Sequence, residues 1–81
     1  MIKYIGSSEV PGVFLRYYVF GDRKNGYSIQ ITERNDEKSC QYVSRNLFQV
    51  LELADKLRRN SVFPCNLEEI MEDLQYDASL G

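Results

Sequence analysis

Carboxylates in the last sixteen residues are the densest group of chemically active side chains in this chain: Glu68, Glu69, Glu72, Asp73 and Asp77. On a helix, Glu69, Glu72 and Asp73 would be neighbours, because residues three and four apart lie on one face. Hard cations, however, require several oxygen ligands that converge from more than one element. We therefore interpret these acids as a solvated helix face and expect no metal site.

Two cysteines, Cys40 and Cys65, are the other reactive side chains, and the chain has no histidine. Histidine is the side chain best suited to acid–base catalysis near neutral pH, so catalytic triads built on it are excluded. Without C-x-x-C spacing or further ligands, two cysteines do not indicate a zinc or redox site. We interpret both as small, partly buried hydrophobic residues with free thiols.

The glycines do not form a phosphate-binding loop, because Gly21 and Gly26 flank a predicted hairpin and no G-x-G leads from a strand into a helix. We therefore expect no catalytic residue, no cofactor and no small-molecule substrate. The sequence favours a protein that is not an enzyme.

Length and composition indicate one small folded domain over residues 1–81, with poor order at residues 1–12 and 77–81. The net charge of −2 is uneven: residues 1–65 carry ten basic and seven acidic groups, or +3, whereas residues 66–81 carry five acids and no base, or −5. No apolar run reaches the ~20 residues of a membrane helix, and the start lacks the apolar region of a signal peptide. We expect a cytoplasmic protein that does not contact membranes.

Two strands joined by a tight turn are predicted in the first half. Residues 13–20 (VFLRYYVF) are rich in aromatic and β-branched side chains, and residues 21–26 form a turn that includes Asn-Gly. Residues 27–33 alternate, with Tyr27, Ile29 and Ile31 on one side. Residues 1–5 could add a short edge strand, followed by a loop over residues 6–12, and residues 39–43 form a third strand after the polar turn at residues 34–38.

Two helices are predicted after these strands. The first begins at Ser44 or Asn46, where Asn46 and Gln49 fit a capping box, and its apolar stripe is Leu47, Val50, Leu51, Ala54 and Leu57. Pro64 indicates a connector at residues 61–65, and Asn66 with Glu69 predicts the capped start of the second helix. The predicted fold is α+β: an antiparallel sheet of three strands, or four if residues 1–5 join it, followed by two helices on one face, in the order β-β-β-α-α.

The C-terminal half resembles an uncharacterised bacterial family of small single-domain proteins that is classed only as a domain of unknown function. The resemblance covers residues 43–74 and rests on Leu53 and Leu57, on Asn60-x-Val62-x-Pro64, and on Leu67-x-x-Ile70-x-x-Asp73. Residues 27–31 are similar to the aromatic, alternating strand of that family, whereas the first twelve residues contribute nothing. The resemblance implies a small cytoplasmic domain and no known activity, and Asp73 is expected to bond to the loop around Asn60 or Ser61.

The most distinctive surface candidate is the even-numbered side of the aromatic strand, which carries Phe14, Arg16, Tyr18 and Phe20. Only one side of the strand can lie under the helices, and Arg16 marks the even-numbered side as the outer one. Leu15, Tyr17, Val19, Ile29 and Ile31 are then core. The outer aromatic residues would form a contact surface, unless the amino-terminal segment folds over them.

We therefore expect a non-enzymatic protein-interaction or regulatory module that uses the sheet face or the second helix, with a homodimer as its simplest form. The alternative is single-stranded nucleic-acid binding, in which sheet aromatics stack on bases and Arg16, Arg23, Lys24 and Arg34 contact phosphates. That alternative requires the basic residues to lie on the same face as Phe14 and Tyr18. The acidic balance of the chain makes nucleic acid the less favoured partner.

Overall fold

Two helices cover one face of a four-stranded antiparallel sheet. The computed structural model describes residues 1–34 and 37–74, without the side chain of Leu74. The strands β1 (Ile2–Val10), β2 (Val13–Asp22), β3 (Gly26–Glu33) and β4 (Lys38–Ser44) lie side by side in chain order, and the helices α1 (Leu47–Arg59) and α2 (Pro64–Leu74) follow. The predicted α+β class is confirmed, with four strands where three were predicted and a fourth was left open.

The first strand is nine residues long, so the loop predicted for residues 6–12 is wrong. Residues 6–10 continue to pair with β2, with Gly6 opposite Tyr17 and Val10 opposite Val13. Pairing is interrupted only by a register shift between Tyr4 and Gly6. The two breakers Pro11 and Gly12 form the turn between β1 and β2, so they mark the tip of a hairpin.

The predicted hairpin of β2 and β3 is confirmed, and side chains of its own turn hold it. The Asp22 carboxylate accepts hydrogen bonds from the backbone N–H of Asn25 (2.7 Å) and from its side-chain amide (3.2 Å). These bonds lower the pKa of Asp22. Gly21 has φ 136°, and a Cβ there would lie 2.1 Å from the carbonyl oxygen of Gly26, so this position requires glycine.

The core lies between the helices and the odd-numbered side of β2 and β3, as predicted. Leu15, Tyr17, Val19, Ile29 and Ile31 are fully buried. From α1, the predicted residues Val50, Ala54 and Leu57 are buried, as is Leu53, whereas Leu47 and Leu51 are half-buried against the same cluster. Asn46 caps α1 as predicted: its side-chain oxygen accepts a hydrogen bond from the Gln49 N–H at 3.2 Å.

The connector between the helices is shorter than predicted, and the predicted start of α2 at Asn66 is wrong. Pro64 occupies the first position of α2, where a helix needs no N–H donor. The Asn66 N–H instead donates to the Phe63 carbonyl at 3.0 Å, within the first turn. Leu67 is buried and Ile70 and Met71 are half-buried, in agreement with the predicted stripe.

A left-handed residue ends α1 and turns the chain toward α2. Ser61 has φ 52°, its N–H donates to the Arg58 carbonyl, and the Val62 N–H donates to the Leu57 carbonyl, both at 3.1 Å. This pair of bonds defines a Schellman motif, which usually has glycine at the left-handed position. Within the described ranges, neither helix is long and apolar enough to cross a membrane.

The joint between the helices is also tied to the sheet. The Tyr17 hydroxyl donates to the Val62 carbonyl at 2.9 Å, and the hydroxyls of Ser8 and Ser61 are hydrogen bonded to each other. The aliphatic part of Arg58 crosses β1 at Gly6, where a Cβ would lie 2.6 Å from Arg58 Cδ. The extension of β1 beyond residue 5 therefore contributes directly to holding the helices on the sheet.

We predict that Tyr17→Phe lowers the free energy of unfolding at pH 7 by about 1–2 kcal/mol, because the Val62 carbonyl loses its donor. Burial, partly offset by the charge of Arg58, raises the pKa of Tyr17 to about 12. The unfolded chain releases this proton near pH 10, so the wild type should lose stability as the pH rises from about 10 to about 12.

Urea unfolding of both proteins at several pH values between 8 and 12 would measure this effect. The variant should lose less stability than the wild type over the alkaline range. An identical loss in both proteins would contradict the assignment.

Candidate interaction surface

The side of the sheet that faces away from α1 and α2 is formed by side chains from all four strands. We call this side the open face. Because paired residues of antiparallel strands project to the same side, the register assigns its members. They are Ile2, Tyr4, Ser7 and Glu9 of β1; Phe14, Arg16, Tyr18 and Phe20 of β2; Ser28, Gln30 and Thr32 of β3; and Lys38, Cys40 and Tyr42 of β4.

Three rows of paired residues cross the open face from β1 to β4. The apolar row is Ile2, Phe20, Ser28 and Tyr42; the middle row is Tyr4, Tyr18, Gln30 and Cys40; and the charged row is Ser7, Arg16, Thr32 and Lys38. The open face therefore changes from apolar and aromatic at one end to cationic at the other.

Aromatic side chains concentrate at the apolar end. The rings of Tyr4 and Tyr18 lie 5.4 Å apart between centroids and are tilted by 54°, a favourable geometry for an aromatic pair. Ile2 is 81 % exposed, Tyr4 53 % and Tyr42 47 %. An apolar surface that spans several strands and is this accessible is typical of a contact site.

The cationic end combines charge with one further aromatic ring. The guanidinium carbon of Arg16 lies 5.3 Å from the centroid of the Phe14 ring, within the range of a cation–π interaction. Phe14 and Arg16 line a surface depression, and Arg34, Lys38, Glu33 and Glu37 line it as well. A hydrogen bond between the two carboxyl groups, with burial and their mutual repulsion, raises the pKa of Glu33. The cationic end therefore places positively charged side chains close to the Phe14 ring and to the acidic pair Glu33 and Glu37.

The four residues predicted to form the contact surface, Phe14, Arg16, Tyr18 and Phe20, all lie on the open face. The alternative in which the amino-terminal segment folds over them is wrong, because β1 pairs at the edge of the sheet. Sequence reasoning missed Ile2 and Tyr4, which alternate with Lys3, and Tyr42, which alternates with Val43. Ile2 and Tyr4 are two residues apart, as are Cys40 and Tyr42, and this spacing is the signal that could have placed them on one side of a strand.

The cysteines differ from their predicted environment. Both are free, as predicted, but both are exposed, so their interpretation as partly buried residues is wrong. Cys40 pairs with Gln30 and therefore projects from the open face, and Cys65 lies in the first turn of α2 away from the core. Partial desolvation by its neighbours raises the pKa of the Cys40 thiol, which favours its protonated form.

The acids of α2 project into solvent. Glu68, Glu69, Glu72 and Asp73 are exposed, and Asp77 lies outside the described residues. Across residues 1–34 and 37–74, no three Cys, Asp or Glu side chains are grouped as metal ligands. Asp73 lies near the loop that it is predicted to contact, because it lines a depression with Asn60 and Ser61. The hydroxyl of Ser61, however, is hydrogen bonded to Ser8.

The fold and the open face together define a small α+β domain with one uncovered, aromatic sheet surface. Residues 3–77 match the family of unknown function DUF6514, and the chain belongs to that family. The match starts at residue 3, so the expectation that the first twelve residues contribute nothing is wrong. No curated protein and no solved structure is significantly similar to the chain.

Substitutions on the two sides of β2 should differ sharply in their effect on the free energy of unfolding. Val19→Ala should lower the free energy of unfolding by about 2 kcal/mol, because it opens a cavity in the core. Tyr18→Ala should cost at most about 1 kcal/mol, since it removes mainly the pair with Tyr4. Urea unfolding at neutral pH would measure both values, and a larger cost for Tyr18→Ala would contradict the assignment of faces.

Proposed function

We propose that this protein is a non-enzymatic interaction module that binds a protein partner through its open face. The observation that carries the proposal is the accessible apolar surface that β1 and β4 contribute to the open face through Ile2, Tyr4 and Tyr42. Exposed apolar area of this kind is retained against its cost in solubility mainly where a partner covers it. Ser28, Gln30 and Thr32 of β3 lie on the same surface and can form hydrogen bonds with a partner.

The central strand contributes anchors that suit such a surface. Tyr18 and Phe20 are half-buried by their neighbours, so their rings are already held in place before a partner arrives. Little conformational entropy is then lost on binding, which favours affinity. Arg16 at the border of the aromatic area adds a charged group of the type enriched in protein interfaces.

The proposal includes a cytoplasmic location. The two exposed cysteines support it, because unpaired accessible thiols are stable in a reducing compartment and are readily oxidised outside it. An acidic α2 surface, rich in exposed glutamate, would contribute solubility while the open face is occupied.

Substitutions on the open-face side of β2 should abolish association without unfolding the domain. We expect Tyr18→Ser and Phe20→Ser to lose self-association in size-exclusion chromatography with light scattering, and to lose any protein that the wild type retains from native cytoplasm. Phe48→Ser is the matched control, because Phe48 is an 83 % exposed aromatic residue on α1. Association that survives both sheet substitutions, or that is lost equally in the control, would refute the proposal.

A second candidate is single-stranded nucleic-acid binding, and one observation favours it. Arg16, Arg34 and Lys38 line a depression together with Phe14, so cations and an aromatic ring share one end of the open face. In proteins that bind single-stranded nucleic acid, aromatic rings stack on the bases and cationic side chains neutralise the phosphates. Glu33 and Glu37 in the same depression oppose it, and the predicted contributors Arg23 and Lys24 lie in the turn after β2.

Fluorescence anisotropy with labelled single-stranded oligonucleotides would test this candidate. If it is right, binding at low salt should weaken steeply as salt is added, and Arg16→Gln should weaken it further. Lys24→Gln, which removes the same charge outside the open face, should have a smaller effect. The absence of binding at high micromolar protein and low salt would exclude it.

A further inference from the structure

We propose that the partner of the open face is a second copy of this chain, with the twofold axis running along the strands between β2 and β3. This inference rests on the proposed function, in which the open face is the interaction surface. It adds the identity of the partner and the arrangement of the two sheets.

The size of the open face is suitable for a small dimer interface. Four strands spaced about 4.8 Å apart give a width of about 19 Å. About seven residues per strand, at about 3.3 Å each, give a length of about 23 Å. The side chains make the accessible area larger than this outline. Two such outlines together cover about 870 Å², and the relief of the side chains raises this area toward the ~1,200 Å² at the lower limit of stable interfaces. A reversible dimer is therefore expected.

Symmetry restricts how two copies can meet. In a twofold dimer the same surface serves both partners, and for two facing sheets the axis lies in the plane between them. An axis across the strands, centred on the middle row, would cover the cationic end of one sheet with the aromatic end of the other. Arg16 would then lie over the partner's Phe20 and lose water without gaining a hydrogen-bond acceptor, and only Lys38 would meet a hydroxyl, that of the partner's Tyr42. An axis along the strands keeps like rows together and avoids this loss.

The charged row then determines where the axis lies. An axis over β2 would place Arg16 on the partner's Arg16, and an axis over β3 would place Arg16 on the partner's Lys38. Like charges opposed in this way are strongly unfavourable in an interface. An axis between β2 and β3 places Arg16 over the partner's Thr32 and Lys38 over the partner's Ser7. It is also the position that covers all four strands.

The same axis produces favourable contacts in the other two rows. Tyr42 meets the partner's Ile2, which buries the most exposed apolar side chain of the sheet. Tyr4 meets the partner's Cys40, a contact between an aromatic ring and sulfur. Sheets packed face to face lie about 10 Å apart, so these side chains reach one another.

Cross-linking tests this arrangement through Tyr4 and Cys40. In a Cys65→Ser background, Tyr4→Cys should give a covalent dimer with a short bismaleimide. Within one chain, positions 4 and 40 are three strands, or about 14 Å, apart. Cys65→Ser alone should give no dimer, because the two copies of Cys40 would lie at opposite edges. Cys65→Ser with Phe48→Cys controls for collisions, and circular dichroism would confirm that each variant is folded.

Charge substitutions at one position give an independent measurement. Thr32→Lys should weaken the dimer by about tenfold or more, because it opposes the partner's Arg16, whereas Thr32→Glu should not weaken it. Sedimentation equilibrium of the two variants would provide the dissociation constants. Equal constants for both variants would overturn the position of the axis.

The outcomes separate this inference from the proposed function. A dimer that is lost in Phe20→Ser but does not cross-link between positions 4 and 40 would overturn the arrangement and leave the open face as the interface. A wild type that stays monomeric at millimolar concentration, yet binds another protein through Phe20, would overturn the second copy as partner. A dimer that is unchanged by Phe20→Ser would count against both.

Discussion

The alternation of side chains across a sheet that is covered on one side only is the constraint on which this structure depends. Leu15, Tyr17 and Val19 are buried on the side of β2 that packs against α1, so every intervening residue of β2 must face the other way. The helices are attached on that buried side through Tyr17 and Val62. Because the aromatic residues of β2 occupy both parities, the same strand supplies the core and the uncovered surface.

Much of the fold was predictable from local patterns. The alternation from Tyr27 to Ile31 identified β3 and its buried side, and Asn46 with Gln49 identified the start of α1, because both signals depend only on near neighbours. Arg16 alone sufficed to assign the faces of β2. A single charged residue in an aromatic strand is informative because burying it without a partner is costly.

The failures arose where one residue type allows opposite structural roles. The sequence pattern predicts a loop at Gly6, whereas this residue lies at a bulge that lets β1 continue past the Arg58 side chain. Pro64 indicates a connector between the helices in the sequence, whereas it occupies the first position of α2. The orientation of Cys40 depends on how the turn before β4 sets the register. Such roles are decided by distant contacts, which no local pattern contains.

The connectivity of the sheet has a consequence for how the chain folds. Each strand pairs with the next one along the sequence, so the sheet can assemble from successive hairpins without a crossover. Short loop closures carry a small entropic penalty, and topologies dominated by them fold quickly. The bond between Ser8 and Ser61 joins positions 53 residues apart. We therefore expect the meander to form early and its junction with the helices to close in the rate-limiting step.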